Sequence, residues 1–166
     1  MEDNSNHSNT NLYSHRKTDS GLGKEQSAGF IIFSEIDGQR KYLVLHYLSG
    51  RYDFAQGHLE AGEDHMQAAL RELKEETGID QIEVIPRFAV QLNYSFRRIY
   101  ALINKTTTIF LAHTDQTDVV ISSEHQGFVW LPYAEAVKII TYDKEKRVLI
   151  DADKYLNNLE NLKQNK

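Results

Sequence analysis

The chain contains no cysteine among its 166 residues, and it has no long apolar run. Without cysteine it can form neither a disulfide nor a thiolate metal site, which fits a reducing compartment. A helix that spans a bilayer needs about 20 consecutive apolar residues, and the N-terminus also lacks the apolar stretch of a secretory signal. We therefore expect a cytoplasmic protein that makes no membrane contact.

The chain also has little excess charge. Its net charge is −5 and its isoelectric point is near 5.8. A weakly acidic balance argues against a broad face that binds nucleic acid, but it leaves room for a small basic pocket that binds phosphates. The length and the 40% of hydrophobic residues fit one soluble domain with a single core, and we favour a monomer.

Residues 1–26 differ in composition from the rest of the chain. They are rich in Asn, Ser, His and Gly, and they have few large apolar side chains. Such a segment buries too little surface to offset the entropy lost on ordering, so we expect a disordered tail followed by a domain over residues 27–166. The alternative is that Leu12, Tyr13 and Leu22 dock on the domain.

Later segments have the patterns of strands and helices. The predicted strands cover residues 28–33, 42–46, 82–94, 107–112 and 127–131. The first two form a predicted hairpin with a turn at Asp37-Gly38-Gln39. Two helices are predicted to close the chain, at residues 133–140 and 144–159. Their expected buried positions are Val137, Ile140, Val148, Leu149, Ala152, Tyr155, Leu156 and Leu159.

A central helix is predicted between these strands. It follows a loop over residues 57–62, begins at Glu63 or Asp64 and ends at Gly78, which suits a left-handed C-terminal position. We expect its apolar face to pack on the sheet, and this face consists of Met66, Ala69, Leu70, Leu73 and Thr77. Strands on both sides of a helix indicate a mixed α/β domain.

Three glutamates lie on a different side of this helix. Glu75 and Glu76 follow Glu72 by three and four residues, so the three carboxylates converge on one region. Like charges at this spacing repel by roughly a few tenths of a kcal/mol per pair, and Arg71 is the one cation beside them. A hard divalent cation would relieve the repulsion, and the Gly57 carbonyl could add an oxygen ligand. A merely solvated glutamate face is the alternative.

The spacing of the residues around these glutamates is more specific than the glutamates alone. Five residues separate Gly57 from Glu63, and seven separate Glu63 from Arg71-Glu72-Leu73. One residue lies between this triplet and Glu75-Glu76, and one lies between that pair and Gly78-Ile79. This pattern resembles the Nudix box at every defined position. The resemblance implies an α/β/α sandwich with a mixed sheet, in which the box forms a loop–helix–loop motif that binds Mg²⁺ or Mn²⁺.

By the same resemblance, the box supplies the metal site and its supports. The implied metal ligands are the Gly57 carbonyl, Glu72, Glu75 and Glu76. Arg71 is implied to pair with Glu63 and to hold the glutamates in place, and a surface ion pair of little energy is the alternative. The general base is either Glu72 or a glutamate outside the box.

Three further segments are similar to the asymmetrical diadenosine tetraphosphate hydrolases. They are residues 91–94 (QLNY), 107–112 (TTIFLA) and 123–131 (SEHQGFVWL). The similarity implies that Glu124 binds a metal ion or activates water, and a plain loop glutamate is the alternative. It also implies that Tyr94 and Tyr142 stack on adenine, and packing in the core or at the rim is the alternative for both tyrosines.

Phosphate contacts are also implied by this similarity. Lys105 and either Arg97 or Arg98 are candidates as charged donors, and a solvated hairpin is the alternative for them. His125 is implied either to hold its loop or to donate to a phosphate. The expected substrate-binding residues outside the two arginines are therefore Gln56, Tyr94, Lys105, His125 and Tyr142.

The sequence departs from these hydrolases in two places. They have a tryptophan, and then a proline–lysine pair just before the box glycine, where this chain has Tyr52, Ala55 and Gln56. Gln56 can donate hydrogen bonds but carries no charge. The connection from Tyr94 to Thr107 also looks longer than usual.

The resemblance implies hydrolysis of diadenosine tetraphosphate to ATP and AMP. Three alternatives stay open among enzymes: a nucleoside triphosphate, a capped or triphosphorylated RNA 5′-end, and another nucleoside diphosphate derivative as substrate. A further alternative is a binding module that senses a nucleotide without cutting it. Such a module would be expected to lose box glutamates, and this chain has all four, namely Glu63, Glu72, Glu75 and Glu76.

Overall fold

A seven-stranded sheet runs through the computed structural model, which describes residues 22–165. In its middle, β1 (Leu22–Ile36) lies parallel to β6 (Ala101–His113) and antiparallel to β2 (Gln39–Tyr47). The sheet is therefore mixed, as predicted. The remaining strands are β3 (Tyr52–Asp53), β4 (Ala55–His58), β5 (Glu83–Arg98) and β7 (His125–Pro132). The strand order is β3-β2-β1-β6-β5, with β4 paired to β1 and β7 paired to β2.

Helices cover both faces of this sheet. They are α1 (His65–Thr77), α2 (Tyr133–Ile139) and α3 (Asp143–Gln164). Successive side chains of β1 point to opposite faces, so Ile31 joins a core with α2 and α3, whereas Phe30 and Ile32 join a second core with α1. This arrangement confirms the predicted α/β/α sandwich. No helix within residues 22–165 is both long and apolar enough to cross a membrane.

The β1–β2 hairpin has the turn that its sequence predicts. Asp37 and Gly38 have φ angles of 57° and 70°, both in the left-handed region. Two left-handed residues make a turn whose twist matches that of the flanking strands. Ile36 therefore pairs with Gln39, and Phe33 pairs with Tyr42 farther along the ladder.

β1 begins earlier than the sequence analysis predicts. The expected tail extends to residue 26, but residues 22–26 already pair with β6. Backbone hydrogen bonds in a parallel ladder order this segment although it has few apolar side chains, and composition does not reveal them. The rest of the predicted tail, with Leu12 and Tyr13, lies outside the described residues.

The connection from Tyr94 to Thr107 is not a long loop. β5 and β6 continue as an antiparallel ladder through this segment, with Tyr94 opposite Lys105 and Arg98 opposite Ala101. The turn lies at Ile99 and Tyr100, next to the end of the ladder. The extra length is therefore a longer hairpin. Polar and apolar residues do not alternate regularly near its tip, so the sequence does not indicate that the two strands continue there.

α1 has the predicted ends but a different buried face. Asp64 caps its N-terminus by accepting a hydrogen bond from the Gln67 N–H, and Gly78 ends it with a φ of 72°. Leu70, expected on the packed face, is 41% exposed, whereas Glu76 is only 4% exposed. The error has a physical cause: Glu76 is buried because its carboxylate has hydrogen-bond partners inside the protein, and an apolar pattern cannot reveal such partners.

Two adjacent residues of α3 provide a test of the core. Leu149 is fully buried, whereas its neighbour Ile150 is 36% exposed. We predict that Leu149→Ala lowers the free energy of unfolding by about 2–5 kcal/mol because it leaves a cavity, and that Ile150→Ala lowers it by less than about 1 kcal/mol. Urea denaturation measures both values, and equal losses would contradict the orientation of α3.

Candidate functional site

The loop–helix–loop motif begins in a strand that the sequence analysis does not predict. β4 pairs antiparallel with β1, so that Gly57 lies opposite Ala28. A Cβ atom at Gly57 would collide with the carboxylate of Glu72, which lies against the Gly57 backbone. Only glycine therefore allows Glu72 to occupy this position. The Gly57 backbone and the Glu72 carboxylate are brought together, as a shared metal site requires.

Arg71 links the motif into one unit. Its Nε and Nη2 donate to both carboxylate oxygens of Glu63, at 2.7 and 2.9 Å, so the expected Arg71–Glu63 pair is present. Its Nη1 donates to Glu72 at 2.8 Å and to Glu75 at 3.2 Å, and Nη2 also donates to the His58 carbonyl. The two-point hydrogen bond to Arg71 lowers the pKa of Glu63 to about 2.

The carboxylate of Glu76 lies beneath the surface. Its Oε2 accepts a hydrogen bond from the Gln56 N–H at 2.9 Å, and the Tyr47 hydroxyl lies 3.4 Å from both oxygens. Burial, together with the charges of Glu72 and Glu124, raises the pKa of Glu76 to about 8. This carboxyl is fixed in position before any ligand arrives.

Glu124 and Glu75 approach the same region from its two sides. Glu124 lies on the exposed loop before β7, and its charge raises the pKa of Glu72, although burial of Glu72 is the larger cause. Glu75 is exposed and shares the Arg71 Nη1 with Glu72. Glu72 and Glu124 line the adjoining cavity, whereas Glu75 and the buried Glu76 do not.

The donor set suits a hard divalent cation. It consists of carboxylate oxygens, and burial, with a smaller contribution from their mutual repulsion, raises the pKa values of Glu72 and Glu76. Within residues 22–165, no three His, Asp or Glu side chains already close around a point that could hold a metal ion. Arg71 draws the Glu72 and Glu75 carboxylates toward itself instead.

A cavity of about 1040 Å³ opens beside this carboxylate cluster. Seven of the residues named in the sequence analysis for the site line its wall: Gln56, Gly57, Glu72, Tyr94, Lys105, Glu124 and Tyr142. Arg98 lines it too, whereas Arg97 does not. Glu72 of the box, Glu124 and the expected substrate-binding tyrosines therefore face one space.

Aromatic side chains form one part of this wall. Tyr94 and Phe96 lie two residues apart on β5 and face the cavity, with ring centroids 6.3 Å apart. Tyr142, the N-cap residue of α3, is half-exposed at the rim. The Lys144 Nζ lies 5.6 Å from the centre of the Tyr94 ring. Tyr94 and Tyr142 thus lie at the cavity rather than in the core.

Cationic side chains lie beside these rings. Lys105 is directly opposite Tyr94 in the β5–β6 ladder, and burial lowers its pKa. Arg98 Nη1 donates to Glu25 at 2.6 Å. Gln56, which replaces a lysine of the similar hydrolases, donates its side-chain amide to Asp53 at 2.7 Å, so this donor is already occupied.

His125 does not face the cavity, which corrects its expected contact with a phosphate. Its ring is buried and lies against the Tyr47 ring, with centroids 4.2 Å apart. The Nδ1 atom lies 3.0 Å from the Ser122 hydroxyl, and the Nε2 atom lies 3.6 Å from a carboxylate oxygen of Glu76. His125 instead supports its loop, the alternative role, and the region around Glu76.

Several cavity residues escape the sequence analysis, and four of them are charged residues close to Tyr52 or Tyr142. Arg51 and Asp53 flank Tyr52, and Lys144 and Glu145 follow Tyr142, yet all four side chains line the wall. The Arg51 guanidinium lies 3.9 Å from the centre of the Tyr47 ring. Their only sequence signal is that they neighbour residues already singled out, because the fold brings two distant segments together.

Comparison with known proteins identifies related sequences. The family model described as NUDIX domain matches residues 25–152. The asymmetrical bis(5′-nucleosyl)-tetraphosphatase of Rattus norvegicus is 32% identical over 143 residues, which cover 79% of this chain and 95% of that protein. An RNA pyrophosphohydrolase of Nitratiruptor sp. is 30% identical over 110 residues, which cover 59% of this chain and 71% of that protein.

A solved structure has the same fold. An Ap4A hydrolase of C. elegans, determined as a binary complex, superposes with a TM-score of 0.73 and is 28% identical in sequence. The match covers 81% of this chain and 98% of that one. The sheet and the helices described above therefore follow the arrangement of a known hydrolase.

The buried carboxyl of Asp53 provides a pH test of the cavity wall. Burial, together with the charge of the nearby Glu145, raises its pKa from 3.8 to about 7. The folded state thus holds this proton more tightly than the unfolded chain does. The contribution of this tighter proton binding to the free energy of unfolding is complete below about pH 4, and it is lost as the pH rises through about 7.

We predict that the Asp53→Asn variant, whose side chain cannot ionise, loses less stability than wild type as the pH rises. The measurement is the thermal unfolding midpoint between about pH 4 and pH 7. Asp118→Asn is the matched control, because Asp118 is exposed and its replacement should leave the slope unchanged. An identical slope in wild type and Asp53→Asn would contradict the prediction.

Proposed function

The chain belongs to the Nudix family of hydrolases, which act on phosphoric anhydrides, and from this premise we propose that it hydrolyses diadenosine tetraphosphate to ATP and AMP. The observation that carries the proposal is that the wall of one cavity includes Glu72 and Glu124 as well as Tyr94 and Tyr142. A volume of about 1040 Å³ is sufficient for a nucleotide and its phosphates. The relatives named bis(5′-nucleosyl)-tetraphosphatases support this choice of substrate.

Members of this family generally use divalent metal ions, and we propose Mg²⁺ or Mn²⁺ here. The proposed ligands are the Gly57 carbonyl, Glu72, Glu75, Glu76 and Glu124. Glu75, which is held by Arg71, and Glu124 are both exposed. When bound, the ion polarises phosphate oxygens and lowers the pKa of a bound water.

The protein groups around this site have separate tasks in the proposed reaction. Arg71, fixed by Glu63, keeps the Glu72 carboxylate against the Gly57 backbone, where a misplacement of about 1 Å would slow the reaction greatly. The proton of the attacking water passes to a carboxylate at the cavity wall, for which Glu72 and Glu124 are the candidates.

The other end of the cavity would hold the nucleotide. Tyr94 and Tyr142 present rings on which adenine can stack, and each base–ring contact contributes roughly 1–3 kcal/mol. Lys105 and Arg98 are the proposed partners of the phosphates, because a cation strengthens a hydrogen bond to an anionic oxygen. Arg51 adds a third cation at the wall, which can replace the charge that Gln56 lacks.

A second candidate function is hydrolysis of a triphosphorylated RNA 5′-end. The similarity to an RNA pyrophosphohydrolase, 30% over 110 residues, favours it. An RNA substrate needs a basic track beyond the pocket, and the net charge of −5 gives that track little support. We rank it below the dinucleotide for this reason. The monomeric state and the cytoplasmic location stay predictions from the sequence.

A substrate panel tests the proposal. The purified protein is incubated with diadenosine tri-, tetra- and pentaphosphate, nucleoside triphosphates and a short triphosphorylated RNA, with and without Mg²⁺ or Mn²⁺. Products are separated by ion exchange. We expect ATP plus AMP from the tetraphosphate to dominate. A faster release of pyrophosphate from the RNA would favour the second candidate, and no cleavage of any anhydride would contradict both.

The contact between Gly57 and Glu72 provides a second test. We predict that Gly57→Ala lowers kcat/KM by at least about a hundredfold, because the new methyl group displaces the Glu72 carboxylate. Gly127→Ala is the matched control, since nothing lies within 4 Å of a Cβ atom at Gly127. Thermal unfolding of both variants separates a local displacement from a loss of fold. Full activity in a folded Gly57→Ala protein would contradict the proposed role.

A further inference from the structure

Glu145 has a buried carboxylate oxygen that accepts no hydrogen bond from residues 22–165. The residue is 7% exposed and lines the cavity. Its Oε2 atom is fully buried and has no hydrogen-bond partner among residues 22–165. A buried acceptor without a partner is unfavourable, and a charged acceptor more so. Such an atom beside an open cavity therefore indicates a ligand group that donates to it.

The structure fixes Glu145 beside the proposed base-stacking ring. Glu145 lies in the first turn of α3, directly after Lys144. The Lys144 Nζ donates to the Asn93 carbonyl at 2.6 Å, next to Tyr94, and this contact ties the start of α3 to β5. The charge of Glu145 also contributes to the raised pKa of Tyr94, although burial of Tyr94 is the larger cause. The carboxylate and the ring therefore line the same cavity, next to the Lys144 contact.

The other buried carboxylate of this wall is already occupied. Asp53 Oδ1 accepts from the Phe54 N–H at 2.8 Å, and Oδ2 accepts from the Gln56 side chain at 2.7 Å. Among the buried carboxylates of the wall, Glu145 Oε2 is thus the oxygen left without a hydrogen-bond partner, within the part of the chain described. Helix polarity favours an acidic residue in the first turn of α3, but it does not account for a buried oxygen without a partner.

We propose that Glu145 accepts a hydrogen bond from the exocyclic amine of the purine that stacks on Tyr94, and that it thereby selects purines that have an amino group. The inference rests on the proposed function, because it assigns the base to this end of the cavity. An ionised carboxylate can only accept hydrogen bonds, and the amine is a donor in the plane of the ring. A base without this amine would leave the Glu145 Oε2 atom buried and without a hydrogen-bond partner, so its binding is strongly disfavoured.

Adenine and guanine both provide such an amine, at different ring positions. The experiment therefore measures binding of AMP, GMP and purine riboside 5′-monophosphate, which has no exocyclic amine, by isothermal titration calorimetry. We expect at least one of the two amino nucleotides to bind wild type about tenfold or more tightly than purine riboside monophosphate. The tighter of AMP and GMP identifies which amine meets the carboxylate.

Two variants assign this discrimination to Glu145. Glu145→Met keeps a side chain of similar length without an acceptor, and the affinity ratio should fall to near one. Glu145→Gln keeps an amide oxygen and should retain part of the ratio. Asp143→Asn is the control, because it removes an exposed carboxylate two residues away and should leave the ratio unchanged. Thermal unfolding verifies that every variant is folded.

The outcomes separate this inference from the proposed function. The role of Glu145 is overturned if the ratio of affinities for the amino nucleotide and for purine riboside monophosphate is near one in wild type, or if it persists in Glu145→Met. This holds even if the protein cuts diadenosine tetraphosphate to ATP and AMP. Conversely, a wild type that discriminates among the three nucleotides but cuts no dinucleotide supports the inference on Glu145 and overturns the proposed function.

Discussion

The repulsion between carboxylates at the C-terminal half of α1 is the constraint on which the rest of the site depends. Glu76 is buried on the helix face that packs against the sheet, and Glu72 lies one turn before it. Burial and these neighbouring charges keep the pKa of Glu76 near 8, well above its usual range. The fold holds these groups together through the Gln56 N–H, the Tyr47 hydroxyl and the packing of α1.

The surroundings of the cluster follow from this constraint. Arg71 neutralises part of the charge and is itself fixed by Glu63, so a single guanidinium orders the loop and the helix together. Gly57 has no side chain because the Glu72 carboxylate occupies that space. A proton on Glu76 relieves part of this repulsion, and a cation bound at the proposed metal site would relieve it with all the carboxylates ionised.

Local patterns predicted much of this molecule. The Asp37-Gly38 turn, the two ends of α1 and the spacing of the box depend on residues close in sequence, and the structure has them all in place. The errors concern long-range contacts. Leu70 is exposed and Glu76 buried because the partners of Glu76 lie on other segments. His125 faces inward, and Glu145 lines the cavity, only because distant strands and helices meet there.

Binding of Mn²⁺ to the metal-free protein tests the central claim most directly, since free Mn²⁺ is visible by electron paramagnetic resonance. Wild type should bind the ion without any nucleotide, and Mg²⁺ should compete with it. Glu76→Gln should weaken binding by about tenfold or more, whereas Glu135→Gln, at an exposed position of α2, should not. Equal affinity in wild type and a folded Glu76→Gln protein would contradict the account, because the buried carboxylate would then have no part in holding a cation.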